Sequence, residues 1–116
     1  MSTDREVLTT APGGRYQVDV LPWEARMSLW VYTPEIIDTV EDRVLLGFTD
    51  NAWSSDKAAW LTDTLLTMVL RKYPGDKTGH GLRVLIDCAN ETADFREQLG
   101  IPLPALEQAL EQSLQV

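Results

Sequence analysis

The longest apolar stretch of the chain runs from Trp53 to Gly75, and it limits the possible folds more than any other feature. It reads WSSDKAAWLTDTLLTMVLRKYPG, and a second apolar run follows a short loop at Leu82–Asp87. Apolar surface of this extent is most stable when it is removed from water, so the rest of the chain must cover it. The pattern within residues 56–73 fits both a helix and a strand.

As a helix, residues 58–73 would place one set of side chains near a single face: Ala58, Leu61, Leu65, Met68, Val69 and Lys72. Ser54 or Ser55 could cap the start of this helix, and Pro74-Gly75 would end it.

As a strand, the same block would send Leu66, Met68 and Leu70 to one side of a sheet. Its threonines and Trp60 are strand-favouring types, and residues 54–57 would form the preceding turn. The capping residues favour the helix and the composition favours the strand, so both interpretations stay open.

Alternating patterns elsewhere indicate short strands at residues 16–20, 25–32, 43–48 and 82–87. The first of these is expected to end at Pro22 and to pair with the second in antiparallel fashion. Thr33-Pro34-Glu35 could begin a helical turn or continue an extended segment to Val40.

Towards the C-terminus, Asn90 could cap a helix over residues 91–99, followed by an extended linker around Ile101–Pro104. A last helix is predicted from Pro104 or Ala105 to about Leu114, with an apolar stripe at Leu106, Ala109, Leu110 and Leu114. Residues 1–15, which contain Pro12-Gly13-Gly14, are predicted to be a flexible tail, with a short strand at Val7-Leu8 as an alternative. Residues 16–116 are predicted to form one α+β domain, a mostly antiparallel sheet of four or five strands with a C-terminal helix.

The net charge of −8 argues against binding to nucleic acid or to an anionic membrane, because phosphate contacts need clustered lysine and arginine. It is compatible with a basic protein partner, since opposite charges speed encounter. A cytoplasmic location is expected because there is one cysteine, no basic-then-apolar leader and no apolar run near the ~20 residues of a membrane helix.

The residues needed for catalysis are not brought together by the predicted elements. Cys88 follows the strand 82–87, and the one histidine, His80, precedes it. A six-residue strand separates its ends by roughly 20 Å, so His80 cannot serve as the base for a Cys88 nucleophile. We therefore expect Cys88 to be a small buried hydrophobe, and we expect neither a metal site nor a cofactor. A small thiol-dependent enzyme using Cys88 stays as an alternative.

Tryptophan is abundant, with four in 116 residues, and the acidic residues of the middle of the chain are close in sequence. Trp30 and Tyr32 alternate with the apolar residues of their strand, and Trp60 lies on the polar side of the helical interpretation. If these rings are exposed, they mark a binding surface. The alternative is that both faces of the sheet are covered and all four tryptophans lie in the core. The predicted partner-binding residues are Trp30, Tyr32, Glu35, Asp38, Glu41, Asp42 and Trp60.

A group of basic residues around the loop after the central block gives the second candidate site. Lys77-Thr78 lacks the preceding glycine of a P-loop, so the sequence does not predict a nucleotide site of that kind. The loop could still bind an anion or a small ligand through Arg71, Lys72, Lys77, His80 and Arg83. The leading expectation is a non-catalytic protein-binding module, with this anion site as the alternative.

Overall fold

The computed structural model describes residues 5–26, 29–73 and 81–114, which form two antiparallel sheets and one helix. The first sheet has the order β1-β2-β3-β4 and the second the order β5-β6-β7-β8-β9. The elements are β1 Glu6–Thr10, β2 Tyr16–Arg26, β3 Leu29–Asp38, β4 Arg43–Leu46, β5 Trp53–Trp60, β6 Leu65–Lys72, β7 Leu82–Asp87, β8 Thr92–Phe95, β9 Gln98–Pro102 and α1 Leu103–Ser113. The mostly antiparallel α+β class is confirmed, with nine strands in the described residues instead of four or five.

The first sheet is built on β2 and β3, which pair antiparallel from Tyr16 opposite Asp38 to Arg26 opposite Leu29. Tyr16, Val18 and Val20 are buried, as their alternation predicted. The expected end of the strand at Pro22 is wrong, because Pro22 stays in β2 opposite Tyr32. Thr33-Pro34-Glu35 is extended and lies within β3, so the helical turn does not form.

The predicted N-terminal tail contains a strand. Residues 6–10 form β1 and pair with β2, from Glu6 opposite Val20 to Thr10 opposite Gln17. Ala11 is buried in the core. The tail prediction is therefore wrong for residues 6–11, while residues 1–4 lie outside the described part of the chain.

The central block is a β-hairpin, so the helical interpretation of 56–73 is wrong. Residues 54–57 belong to β5, which pairs with β6 from Trp53 opposite Lys72 to Trp60 opposite Leu66. The hydroxyl of Thr62 accepts hydrogen bonds from the backbone N–H groups of Thr64 and Leu65 (3.1 and 3.0 Å) and closes the turn. Leu66, Met68 and Leu70 all face the core, as the strand interpretation predicted.

The end of the second sheet differs from the sequence prediction. The strand at 82–87 is confirmed as β7. The helix predicted over 91–99 is wrong, because this segment forms β8 and the beginning of β9. Glu91 and Arg96 have φ values of 57° each, which place sharp left-handed bends before and after β8.

The predicted C-terminal helix is confirmed as α1, with Leu103, Leu106, Ala109 and Leu110 buried. One hydrophobic cluster joins these side chains to both sheets, so the two sheets and the helix share a single core. The backbone N–H groups of Thr49 and Asp50 donate to the Glu107 carboxylate (2.8 and 2.9 Å). Through these hydrogen bonds the Glu107 carboxylate holds α1 against residues 49 and 50, which lie in the segment that connects the two sheets.

Candidate functional site

A cleft of about 240 Å³ lies where the edge strand of the first sheet approaches the edge strand of the second. Its lining comes from β1, β2, β3 and β5: Glu6, Val7, Leu8, Val20, Tyr32 and Ser55. Cross-strand pairing places Glu6 opposite Val20, and Val20 lies two residues from Pro22, the partner of Tyr32. Because strand side chains alternate, Glu6, Val20 and Tyr32 share one face of the first sheet, whereas Val7, opposite Asp19, points to the other face.

Hydrogen bonds link the first sheet to β5 and to the loop that precedes it. The backbone N–H of Tyr32 donates to the hydroxyl of Ser54 at 3.0 Å. The indole N–H of Trp23 donates to the Thr33 hydroxyl and to the Asn51 carbonyl, each at 3.1 Å. These bonds fix β3 against the start of β5, so the aromatic side chain of Tyr32 projects from a rigid support.

Large apolar side chains are exposed around this cleft. Trp30 is 49% exposed and Tyr32 is 41% exposed, in keeping with their predicted alternation with buried residues. Val7 and Leu8, at 57% and 42%, belong to the cleft lining on β1. Trp30 lies two residues before Tyr32 on β3 and so points to the same side of the sheet. We call Leu8, Trp30 and Tyr32 the cleft surface.

Ser55 supplies the cleft with an unusual polar group. The residue is only 5% exposed, and its hydroxyl has no hydrogen-bond partner among the described residues. A buried hydroxyl without a partner costs free energy that a correctly placed ligand group would recover. Sequence reasoning missed Ser55 because it was assigned to a cap or a turn. It allowed only a short strand at Val7-Leu8 within the predicted tail, although Thr9 and Thr10 are also strand-favouring types and β1 runs from Glu6 to Thr10.

The other tryptophans belong to the interior. Trp53 is fully buried in the core, and Trp60 is half-buried and packs against the same cluster. Trp60, predicted for the partner-binding surface, therefore contributes to the core through the part of its ring that is buried. In the strand that forms here, Trp60 is opposite Leu66 and shares its inward direction, which the helical interpretation could not show.

The predicted acidic residues do not form one free patch. Glu35 pairs with Arg5 at 2.5 Å, Glu41 pairs with Arg43 at 2.9 Å, and Asp42 is exposed in the turn after β3. Asp38 is buried and accepts both Nε and Nη2 of Arg15, at 3.1 and 2.8 Å. The inclusion of Asp38 in a partner-binding surface is therefore wrong, because its carboxylate is inside the protein.

Asp38 gives the protein a specific sensitivity to acid. The Arg15 hydrogen bonds, assisted by the backbone N–H groups of Glu41 and Val40, lower its pKa from 3.8 to about 2. Because the pKa is lower in the folded state, the stabilisation is complete above pH 3.8 and is lost as the pH falls through about 2. We expect the urea concentration at the unfolding midpoint to fall as the pH is lowered from 3.8 to about 2. In Asp38→Asn the part of this decrease that comes from protonation of Asp38 should be absent. Asp42→Asn, which removes an exposed carboxylate nearby, should keep the wild-type pH profile; equal profiles for Asp38→Asn and wild type would contradict the assignment.

The basic residues of the anion-site alternative are divided by the fold. The Lys72 ammonium lies 2.7 Å from Glu111 and 3.0 Å from Asp50, and the Glu111 hydrogen bond is the main cause of its raised pKa. Arg71 and Arg83 lie on the outer face of the second sheet, since Arg83 is opposite Val69 and Arg71 is two residues beyond Val69 on β6. Lys77 and His80 lie outside the described residues. The Lys72 charge is balanced by these two carboxylates, and the described chain does not bring Lys72 onto the face that carries Arg71 and Arg83.

Cys88 is buried, as predicted, and burial raises the pKa of its thiol to about 12. A thiol in this state is a poor nucleophile at neutral pH, which favours the structural role. Within residues 5–26, 29–73 and 81–114, no group of three or more histidine, cysteine, aspartate or glutamate residues is arranged to hold a metal ion. No helix of the described chain is long and apolar enough to span a membrane.

No protein-family model matches the chain, and searches of curated proteins and of solved structures found no similar protein.

Proposed function

We propose that the protein is a non-catalytic binding module that recognises another protein through the cleft surface. The observation that carries this proposal is the exposure of Trp30, Tyr32 and Leu8 beside a cleft whose lining includes Ser55, a residue with a buried hydroxyl that has no partner in the described chain. Exposed apolar side chains that are contiguous mark binding sites more often than scattered ones do. Tryptophan and tyrosine are the residues most often found at the energetic centres of protein interfaces.

The dimensions of the cleft favour a protein partner over a free small molecule. Its volume of about 240 Å³ is below the roughly 300–1,000 Å³ of pockets that enclose a drug-sized ligand. It is large enough to receive one side chain from a partner, with the cleft surface making contact around it. This is the usual arrangement of an anchor residue within a protein interface.

Charge favours a basic partner. The chain carries 18 acidic and 10 basic residues other than histidine, so its field attracts positively charged proteins at a distance. Glu6 adds a carboxylate to the cleft lining. Both the cytoplasmic location and the absence of catalysis stay predictions from the sequence.

The proposal is tested by capture of partners from a lysate of the source cell with immobilised wild-type and variant protein. We expect Trp30→Ala and Tyr32→Ala each to lower the affinity for the captured protein by about 30-fold or more, as for interface hot spots. Binding should also weaken as salt is raised, because the long-range attraction is screened.

The matched control is Leu99→Ala, which removes a side chain that is 76% exposed on β9, outside the cleft lining. This variant should capture the partner as well as the wild type does. Circular dichroism should show that all three variants are folded. Equal capture by the three variants would show that the cleft surface is not the binding site.

A further inference from the structure

We infer that the cleft receives a cationic side chain, lysine or arginine, from the basic partner. This inference rests on the proposed function and adds the chemistry of the anchor residue. Two oxygen acceptors stand in the lining beside apolar side chains and one aromatic ring. They belong to two of the lining residues, Glu6 on β1 with its carboxylate and Ser55 on β5 with its hydroxyl.

The two acceptors come from different sheets. Glu6 is opposite Val20 on the first sheet, so its side chain lies on the same face as Val20 and Tyr32. Ser55 is opposite Leu70 on the second sheet and shares the inward direction of that buried residue. A side chain that enters between β1 and β5 therefore has an acceptor on each side.

A lysine or arginine side chain matches this lining in each of its parts. Its apolar stem can lie along Val20 and Leu8, as such stems do on apolar surfaces. Its N–H groups only donate, and both Glu6 and Ser55 can accept. The ring of Tyr32 adds attraction for a cation that lies over its face.

The nearest arginine in the sequence does not fill this role. Arg5 adjoins Glu6, but its guanidinium pairs with Glu35 at 2.5 Å. The Ser55 hydroxyl has no partner in the described chain and is 5% exposed, so a donor from outside would satisfy it. An uncharged apolar side chain would leave this hydroxyl unpaired and would leave Glu6 without a counter-charge.

The test is an NMR titration of the protein with n-butylammonium chloride, which reproduces the end of a lysine side chain. n-Butanol, with the same carbon chain and no charge, is the comparison, and sodium chloride keeps the ionic strength equal. We expect saturable shifts of the amide signals of Glu6–Leu8, Tyr32 and Ser55, with an affinity on the order of millimolar for so small a ligand. n-Butanol should bind about tenfold more weakly, because a hydrogen bond to a charged group is the stronger kind.

Three variants assign the contacts. Ser55→Ala should weaken butylammonium binding by about tenfold while raising the melting temperature by about 3 to 6 °C, because it removes an unpaired buried hydroxyl. Glu6→Gln should weaken binding by about three- to fivefold, in the upper range for a partly exposed ion pair. Glu97→Gln removes the same charge from an exposed residue between β8 and β9, and it should change neither value.

The inference is overturned if butylammonium and butanol bind equally, or if Glu6→Gln and Glu97→Gln have the same effect. It is also overturned if sedimentation shows a dimer and the same amides are covered by a second copy of the chain. If one of these results is found but Trp30→Ala still abolishes partner capture, the protein is a binding module whose cleft does not receive a cationic side chain. Unchanged capture with Trp30→Ala and Tyr32→Ala would instead remove the proposed function itself.

Discussion

Replacement of Trp53 with alanine should lower the free energy of unfolding by about 3–5 kcal/mol, the usual range for a fully buried tryptophan. The ring is completely buried and lies 5.8 Å from the Phe48 ring, centroid to centroid. Its indole N–H donates to Glu111 at 3.1 Å, and the Lys72 ammonium lies 5.9 Å from the ring centre. The substitution therefore opens a cavity and removes a link between β5 and α1.

Urea denaturation followed by circular dichroism measures this loss without depending on tryptophan fluorescence. Trp30→Ala is the matched control, because it removes the same side chain from a position that is 49% exposed. That variant should stay within about 0.5 kcal/mol of the wild type, as surface substitutions do. Similar losses in the two variants would contradict the assignment of Trp53 to the core and Trp30 to the surface.

Removal of α1, by ending the chain at Pro102, should abolish cooperative folding. Leu103, Leu106 and Leu110 are buried to 1% exposure or less in the core shared by both sheets. Replacing one buried leucine with alanine typically lowers the free energy of unfolding by about 2–5 kcal/mol. The loss of all three is therefore comparable to the whole free energy of unfolding of a typical domain, about 5–15 kcal/mol. The shortened chain would also lose the Glu107 contacts to the backbone of residues 49 and 50.

The expected result is a urea profile without a sigmoidal transition and a proton–nitrogen NMR spectrum with little dispersion. Gln108→Ala in the full chain is the control, since it changes an exposed residue of the same helix and leaves the buried leucines in place. It should unfold like the wild type. A shortened chain that keeps a cooperative transition with an unchanged midpoint would show that the sheets are stable without α1.

The parts of the fold that were predicted from the sequence are those with one clear period. β7 and α1 were found because one is a short apolar run and the other has an apolar stripe at helical spacing. The central block was ambiguous because its apolar residues satisfy two periods over the same 18 positions. The turn at Leu61–Thr64 makes the block a hairpin and not a helix. It is closed by hydrogen bonds from backbone N–H groups to the Thr62 hydroxyl. Amino-acid composition alone gives little indication of such a local side-chain bond.

The hairpin of β8 and β9 was mistaken for a helix for a different reason. The chain bends sharply before β8 and again between β8 and β9, with positive φ angles at Glu91 and Arg96 respectively. Glycine and asparagine are the residues that usually adopt this left-handed backbone conformation, so glutamate and arginine do not predict it. The bends exist because strand pairing on both sides of them holds the backbone in place, and that information is not local.

The candidate site was predicted in part. Alternation along one strand left Trp30 and Tyr32 either exposed or covered by another layer, and in the structure both are exposed. The cleft beside them requires Glu6 and Ser55, which are 49 positions apart and belong to different sheets. Their proximity comes from the approach of two edge strands, which is a property of sheet packing and leaves no pattern in either segment.

The order of strands in the two sheets also bears on how the chain reaches its folded state. Within the described chain every paired strand is the neighbour of its partner in sequence, so each ladder closes over a short connection. Residues 6–46 contain the whole first sheet, and residues 53–102 contain the whole second sheet. Local pairing of this kind avoids the slow search that distant strands impose on other β-rich proteins. The step that must bring distant segments together is the docking of one sheet against the other, and it is this step that creates the cleft between β1 and β5.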